Sequence, residues 1–232
     1  MLRNKNKKNW DKYPIQELRG ATLGVVGYGD IGKAAARLAH AYGMKVHALK
    51  RRKPSCDDEK DPIAQIVYGS SKEELHTLFA SCDYILCSLP LTPQTTGMIG
   101  KAEFDAAKQG AVFINVGRGP IVDEPEMIAA LQDGRLKGVG LDVFATEPLP
   151  ANSPLWTLDN VLLSPHSKFW IFFIFVKEAF VYVSHPSYPL YEDMDMTETF
   201  MEEATNFFLE ENLPRFVRKC QLLNPVDPVA GY

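Results

Sequence analysis

The chain has 232 residues, with 25 Lys and Arg against 29 Asp and Glu, a formal net charge of −4. Hydrophobic residues at 46% and charged residues at 23% are ordinary for a globular protein, which excludes a wholly disordered or collagen-like chain and a polybasic nucleic-acid binder. The length allows one large domain or one and a half, with a sizeable core.

Residues 1–12, Met1 to Lys12, are polar and basic and lack the apolar centre of a secretory signal. Scarce Arg and poor amphipathicity fit a solvated helix end or linker better than an organelle-targeting stretch. From Leu18 onwards, apolar strands alternate with helical stretches. Thr22–Val26 reads as a buried strand, and Asp30–Tyr42 as a helix with Ile31, Ala35, Leu38, Ala39 and Tyr42 at helical spacing, stopped by Gly43. Lys45–Leu49 is the next strand. Ser70 or Ser71 can cap a helix through Phe79, because Glu73 and Glu74 each follow three residues later. Strands are expected at Asp83–Leu89, Ala111–Val116, Val139–Val143 and Val161–Ser164, and a helix capped by Asp123 with Glu126 is expected to run to about Gln132. Strands separated by helix-length connections predict an α/β fold with a doubly wound parallel sheet, in which ligands bind beyond the carboxyl ends of the strands.

The first strand runs directly into Gly27-Tyr28-Gly29-Asp30-Ile31-Gly32. A glycine pattern of this spacing is informative because it follows a strand and opens a helix. Gly27 permits the tight turn, Gly29 lets backbone approach a pyrophosphate, and Gly32 lets the helix pack close to the sheet. The free N–H groups at the helix start then face the phosphates. A cofactor with a free ribose 2′-hydroxyl calls for Asp or Glu at the end of the second strand. Lys50, Arg51, Arg52 and Lys53 stand there instead, and cations pair with a 2′-phosphate. NADP(H) is therefore favoured, with NAD(H) open, and the bland alternative is a solvated basic loop.

Three ionisable residues follow the later strands: Arg118, Glu147 and His166. Together they suit reduction of a 2-oxo acid. Arg118 can hold a carboxylate through two parallel hydrogen bonds. His166 can donate a proton to the carbonyl oxygen as hydride reaches the carbon. Glu147 can pair with the imidazole and favour its acid form. Spacing alone also allows a surface Arg and a loop His. Cys56, Cys82, Cys87 and Cys220 have neither metal-knuckle nor disulfide-framework spacing, so a reducing cytoplasm and no metal are expected. The longest apolar run, Phe169–Val176, would span only about 12 Å as a helix, far short of a bilayer.

The stretches Leu18–Gly32, Leu89–Thr95, Asn115–Glu124, Gly140–Phe144, Glu147-Pro148 and Ser164–His166 give the chain a specific resemblance to the D-isomer-specific 2-hydroxyacid dehydrogenases, which include glyoxylate/hydroxypyruvate reductases and phosphoglycerate dehydrogenases. They cover most of residues 13–166. The resemblance implies a Rossmann-type nucleotide domain and puts Arg118, Glu147 and His166 on the family's catalytic Arg, Glu and His. It puts Asp142 on the residue that holds the nicotinamide carboxamide. By the same resemblance Leu89, Pro90 and Thr95 line the cofactor, Val116 and Gly117 lie with them, and Asp30 and Ile31 lie under the phosphates. Glu147 argues against the formate-dehydrogenase branch. A homodimer is implied in the same way; no nucleic-acid or membrane partner is expected.

Two features depart from the family. Its substrate domain is built from about 100 N-terminal residues plus the last segment, and here the nucleotide domain begins almost at once. The family's catalytic His also leads quickly into a long return helix, which here resembles Asp195–Glu211, with Phe200, Ala204, Phe207 and Phe208 on one face. Between them lies 167–192, a stretch rich in Phe, Tyr, Pro and Ser. Ser-Lys-Phe at its start can be spelled with a splice donor, and Glu192-Asp193 with an acceptor. Excision would keep the frame and leave Ser-Pro-His-Asn-Met-Asp-Met-Thr, which is similar to the family. A retained intron is the favoured reading of 167–192, and a genuine surface insertion the alternative. Residues 193–232 then form a helical remnant of the substrate domain. The functional expectation is hydride transfer between NAD(P)H and a small 2-oxo acid such as glyoxylate or hydroxypyruvate. The alternatives are a catalytically impaired cofactor-binding fragment and, with no partner motif to support it, a dinucleotide-sensing interaction protein.

Overall fold

A computed structural model describes residues 17–51 and 61–166. The basic leader, Arg52, Lys53, Cys56, Cys220, the 167–192 stretch and the expected return helix lie outside the described residues.

Seven strands form one parallel sheet: β1 (Thr22–Val26), β2 (Lys45–Leu49), β3 (Ile66–Tyr68), β4 (Tyr84–Cys87), β5 (Ala111–Asn115), β6 (Leu136–Leu141) and β7 (Val161–Leu163). Their order across the sheet is β3-β2-β1-β4-β5-β6-β7, with every pair parallel. The winding direction reverses between β1 and β4, which opens a crevice at their carboxyl ends. Among the described residues four α-helices accompany the strands: α1 (Asp30–Ala41), α2 (Lys72–Ser81), α3 (Lys101–Ala106) and α4 (Glu124–Gln132). This is the expected doubly wound α/β architecture.

Burial explains why these segments pair. All four residues of β4 are buried, as are Leu23 to Val26 of β1, so neither strand has a solvent face. One core cluster is centred on Phe79, Phe104 and Phe113, whose ring centroids lie 5.4 to 6.4 Å apart and join α2, α3 and β5. The other packs Ala35, Ala36 and Ala39 of α1 against Val25, Val46 and Ala48. Small alanines let α1 approach the sheet closely, and Gly32 takes this furthest. A Cβ there would lie 2.3 Å from the Gly27 carbonyl oxygen and 2.8 Å from Val25 Cγ1.

Caps match the sequence signals. Ser71, not Ser70, caps α2 by accepting the Glu74 N–H at 3.2 Å, and Asp123 caps α4 by accepting the Glu126 N–H at 3.3 Å. Gly43 terminates α1 at φ +77°, in the left-handed region. Several boundaries differ from expectation. The strand expected at Asp83–Leu89 is trimmed to Tyr84–Cys87, and the Ser88 hydroxyl turns to donate to the Gly27 carbonyl. The strand expected at Val139–Val143 begins at Leu136 and ends at Leu141, because Leu136 pairs with Ala111 across the sheet. The short edge strand β3 and the short helix α3 are additional elements. Among the described residues no helix is long and apolar enough to cross a membrane.

Gly119 has no room for a side chain. A Cβ there would lie 1.8 Å from the Phe144 carbonyl oxygen, so the loop after β5 rests directly on the backbone of the loop after β6. Gly119→Ala is expected to destabilise the fold by about 1–3 kcal/mol through overpacking, read as a lower urea midpoint with unchanged slope. A midpoint equal to wild type would contradict this contact.

Candidate active site

The residues singled out in the sequence lie along the carboxyl edge of the sheet in strand order. Lys50 and Arg51 follow β2, the glycine turn follows β1, and Leu89 and Pro90 follow β4. Arg118, Glu147 and His166 follow β5, β6 and β7. The basic end and the catalytic candidates therefore occupy opposite sides of the crevice.

Gly27 turns the chain at φ +99°, and its N–H and that of Tyr28 bond the Leu49 carbonyl at 3.2 and 3.3 Å. A Cβ on Gly27 would touch the backbone of Ser88 and Leu89 at 3.0 Å. Gly29 is the N-cap of α1 and has nothing within 4 Å of where a Cβ would stand. No side chain caps α1, so the site presents backbone N–H groups where an anion would sit. Ile31 is half exposed beside this turn, at 50%, and Asp30 is exposed. These are features that a pyrophosphate and its nucleoside require, and the residues present fit such a group.

The loop after β4 is tied by its own threonines. Thr95 Oγ1 donates to the Pro90 carbonyl at 2.7 Å and accepts the Thr92 N–H at 2.8 Å. Thr95 thus shapes the segment that carries Leu89 and Pro90. Its neighbour Gly97 donates to the Pro120 carbonyl at 2.9 Å, linking this segment to the loop that bears Arg118.

Asn115 organises the Arg118 loop, a role the sequence reading did not assign to it. Its Oδ1 accepts the Gly117 N–H at 3.1 Å and its Nδ2 donates to the Arg118 carbonyl at 3.2 Å. A polar residue closing an otherwise apolar strand was the available signal. Buried Gly117 lies against Leu89, half-buried Val116 continues the ladder through Cys87, and Asp142 is only 2% exposed with its N–H on the Asn115 carbonyl at 3.0 Å. The exposed Arg118 side chain donates from Nη1 to the Gly117 carbonyl at 2.7 Å, one of its five donors.

His166 and Glu147 meet as the sequence suggested. His166 Nδ1 lies 2.8 Å from Glu147 Oε2. A carboxylate only accepts, so Nδ1 carries the hydrogen and Nε2 takes no part in this bond. Glu147 Oε1 accepts the Phe144 N–H at 2.9 Å, which fixes the carboxylate plane. His166 has φ +55°, a left-handed conformation that costs a non-glycine residue roughly 1–2 kcal/mol. That backbone turn helps aim the imidazole back at the β6 loop. Burial on its own raises the Glu147 carboxyl. The His166 hydrogen bond, the Phe144 N–H and the charges of His166 and Arg118 outweigh it and hold the carboxyl below its ordinary value. The Arg118 charge, from the loop after β5, acts on the Glu147 carboxyl in the same direction as His166.

Cys82 and Cys87 are buried free thiols, pushed by burial up to about 11 and about 12, and both are unreactive as nucleophiles. No group of three His, Cys, Asp or Glu able to hold a metal occurs among the described residues.

Residues 1–167 match the NAD-binding domain of the D-isomer specific 2-hydroxyacid dehydrogenases. The chain is 46% identical over 151 residues to glyoxylate/hydroxypyruvate reductase B of Enterobacter sp. (strain 638), covering 65% of this chain and 44% of that protein. Among solved structures it resembles a D-isomer specific 2-hydroxyacid dehydrogenase from Xanthobacter autotrophicus Py2 in complex with NADPH and MES, with 31% identity and a TM-score of 0.76 over 100% of this chain and 62% of that one. It also resembles an NADPH-dependent glyoxylate/hydroxypyruvate reductase from Sinorhizobium meliloti in complex with NADP and sulfate, with 28% identity and a TM-score of 0.75 over 100% of this chain and 63% of that one. The chain thus spans under half the length of the curated relatives it matches.

A carboxyl held below its ordinary value in the folded state stabilises the fold above its unfolded pKa. That contribution is lost as pH falls through the lower native value. Glu147→Gln should therefore flatten the acid limb of thermal stability below about pH 4.3, the ordinary glutamate value, while leaving the neutral fold intact. Identical acid limbs in the two proteins would show that the Glu147 contacts do not hold in solution.

Proposed function

Because the chain belongs to the D-isomer specific 2-hydroxyacid dehydrogenase family, we propose that it serves hydride transfer between NADPH and a small 2-oxo acid of the glyoxylate or hydroxypyruvate type. The observation that carries this reading is the Nδ1–Oε2 contact of His166 with Glu147 at 2.8 Å, with Arg118 acting on the same carboxylate.

Each residue has a defined task. The glycine turn and the N-terminus of α1 would hold the pyrophosphate through backbone N–H groups. Lys50 and Arg51, with Arg52 beside them in sequence, would take the 2′-phosphate, and NADPH is accordingly preferred to NADH. Leu89, Pro90, Val116 and Gly117 would flank the nicotinamide, and Asp142 would accept from its carboxamide. The bound cofactor supplies hydride to the carbonyl carbon. Arg118 would clamp the substrate carboxylate through paired N–H donors and so set the carbonyl against that hydride. His166 would give its Nε2 proton to the carbonyl oxygen, while Glu147 keeps the imidazole oriented and balances its positive charge in the acid form. Reduction takes one hydride and one proton, and the proton comes from this pair.

The same proposal assigns 13–166 to the nucleotide domain and 193–232 to part of the substrate domain, and adds a homodimer in the cytoplasm. The family match ends at residue 167, where the 167–192 stretch begins. This supports reading that stretch as foreign to the family's pattern, which a retained intron would account for. A second functional reading, cofactor binding without turnover, would hold for the nucleotide-binding residues acting by themselves, since closure of a second lobe over the substrate excludes water.

NADPH oxidation with glyoxylate and hydroxypyruvate, run beside an NADPH fluorescence titration, separates the two readings. Turnover supports the first, and saturable binding without turnover supports the second. Arg118→Gln is expected to lower kcat/KM by about a hundredfold or more with NADPH affinity unchanged within about twofold. A large loss of affinity would remove Arg118 from the substrate side. Transcript reads should include a major form lacking the codons for 167–192; uninterrupted coverage as the dominant form would refute the intron reading.

A further inference from the structure

Tyr28 is the residue between the first two glycines of the turn, and nothing in the hydride-transfer scheme uses its side chain. It is only 5% exposed. Its hydroxyl donates to Asp61 Oδ1 at 3.0 Å, and the same oxygen accepts the N–H groups of Ile63 at 2.9 Å and Ala64 at 2.7 Å. The ring is therefore anchored at both ends, by its backbone in the glycine turn and by its hydroxyl on a turn that is itself tied down. Lys50 Nζ lies over this ring, 5.7 Å from the centroid. That is within range for a cation held on an aromatic face.

The backbones of the two residues are clamped at the same strand end. Tyr28 N–H bonds the Leu49 carbonyl at 3.3 Å, and Lys50 N–H bonds the Tyr68 carbonyl at 3.1 Å. Asp61 completes the set. Burial raises its carboxyl, but the N–H groups of Ala64 and Ile63, the Tyr28 hydroxyl and the Lys50 charge together hold it below its ordinary value. The Lys50 ammonium is thus drawn to one place by a ring face and a carboxylate.

We propose that Tyr28 is a specificity-determining positioning residue: its Asp61-anchored ring pre-places the Lys50 ammonium for the 2′-phosphate of NADPH. This rests on the reading of the basic strip as the 2′-phosphate site, and adds how that strip is organised. An unrestrained lysine loses rotamer freedom when fixed, and a lysine already resting on a ring loses less on binding. The benefit falls on NADPH alone, because NADH carries no phosphate at that position.

The test is a double-mutant cycle on the 232-residue chain, with dissociation constants for NADPH and NADH from fluorescence titration. Lys50→Ala should reduce the preference for NADPH. Tyr28→Leu should reduce it about fivefold with NADH affinity nearly unchanged, and Tyr28→Met serves if the leucine variant does not fold. Tyr28→Phe, which keeps the ring but loses its Asp61 anchor, should lose part of the preference, less than Tyr28→Leu does. In Tyr28→Leu/Lys50→Ala the preference should fall no further than in Lys50→Ala alone. Preference losses that multiply in the double variant would overturn the proposal, as would a Phe variant as impaired as the Leu variant. An unchanged preference in Lys50→Ala would instead refute the basic-strip reading on which the proposal stands.

Discussion

The parallel order of the sheet is the constraint on which everything else depends. With every strand pointing the same way, each strand delivers its following loop to one edge. Because β5, β6 and β7 are neighbours in that order, Arg118, Glu147 and His166 are delivered side by side, although 48 residues separate the first from the last in sequence. The β1 and β2 loops reach the other side of the same crevice. A dinucleotide has two ends with different chemistry, and this edge offers a cationic end and an acid–base end.

Close backbone approach converts adjacency into a site. Gly119 lies on the Phe144 carbonyl, Gly117 lies on Leu89, and Gly32 lies on Gly27. The first two contacts lock one loop against the next, the third seats α1 on the glycine turn, and each excludes a larger residue. The charges then act at short range. The Glu147 carboxylate accepts from the Phe144 backbone and from His166, and lies within the field of Arg118. An imidazole tethered in this way through Nδ1 offers Nε2 to the crevice. The left-handed backbone at His166 is a local cost that the Glu147 bond offsets.

Much of this was legible in the sequence because its signals are local. A strand running into Gly27-Tyr28-Gly29 and a helix demands an αL turn and a close helix–strand contact, and both occur at the expected residues. Serine and aspartate caps were readable because capping needs only a side chain and an N–H three residues apart, as at Ser71 and Glu74. β3 and α3 carried weaker signals. Three residues give no secure period, and α3 is held by distant contacts of Phe104 with Phe79 and Phe113. The start of β6 was misplaced because its pairing is decided by Ala111 on another strand.

The sequence by itself determined the fold class, the position of the glycine turn and the identity of the three ionisable candidates, since each follows from short patterns of apolar, glycine and charged residues. It also set the sign of charge at the end of β2, where Lys50 and Arg51 stand in place of an acidic residue. Only the tertiary structure decided which of these residues touch. The His166–Glu147 bond, the stacking of two loops at Gly119 and the seating of Lys50 on Tyr28 all join segments brought together by strand order. Contacts of that kind are set by packing across the sheet, and packing is a property of the whole domain that no local pattern encodes.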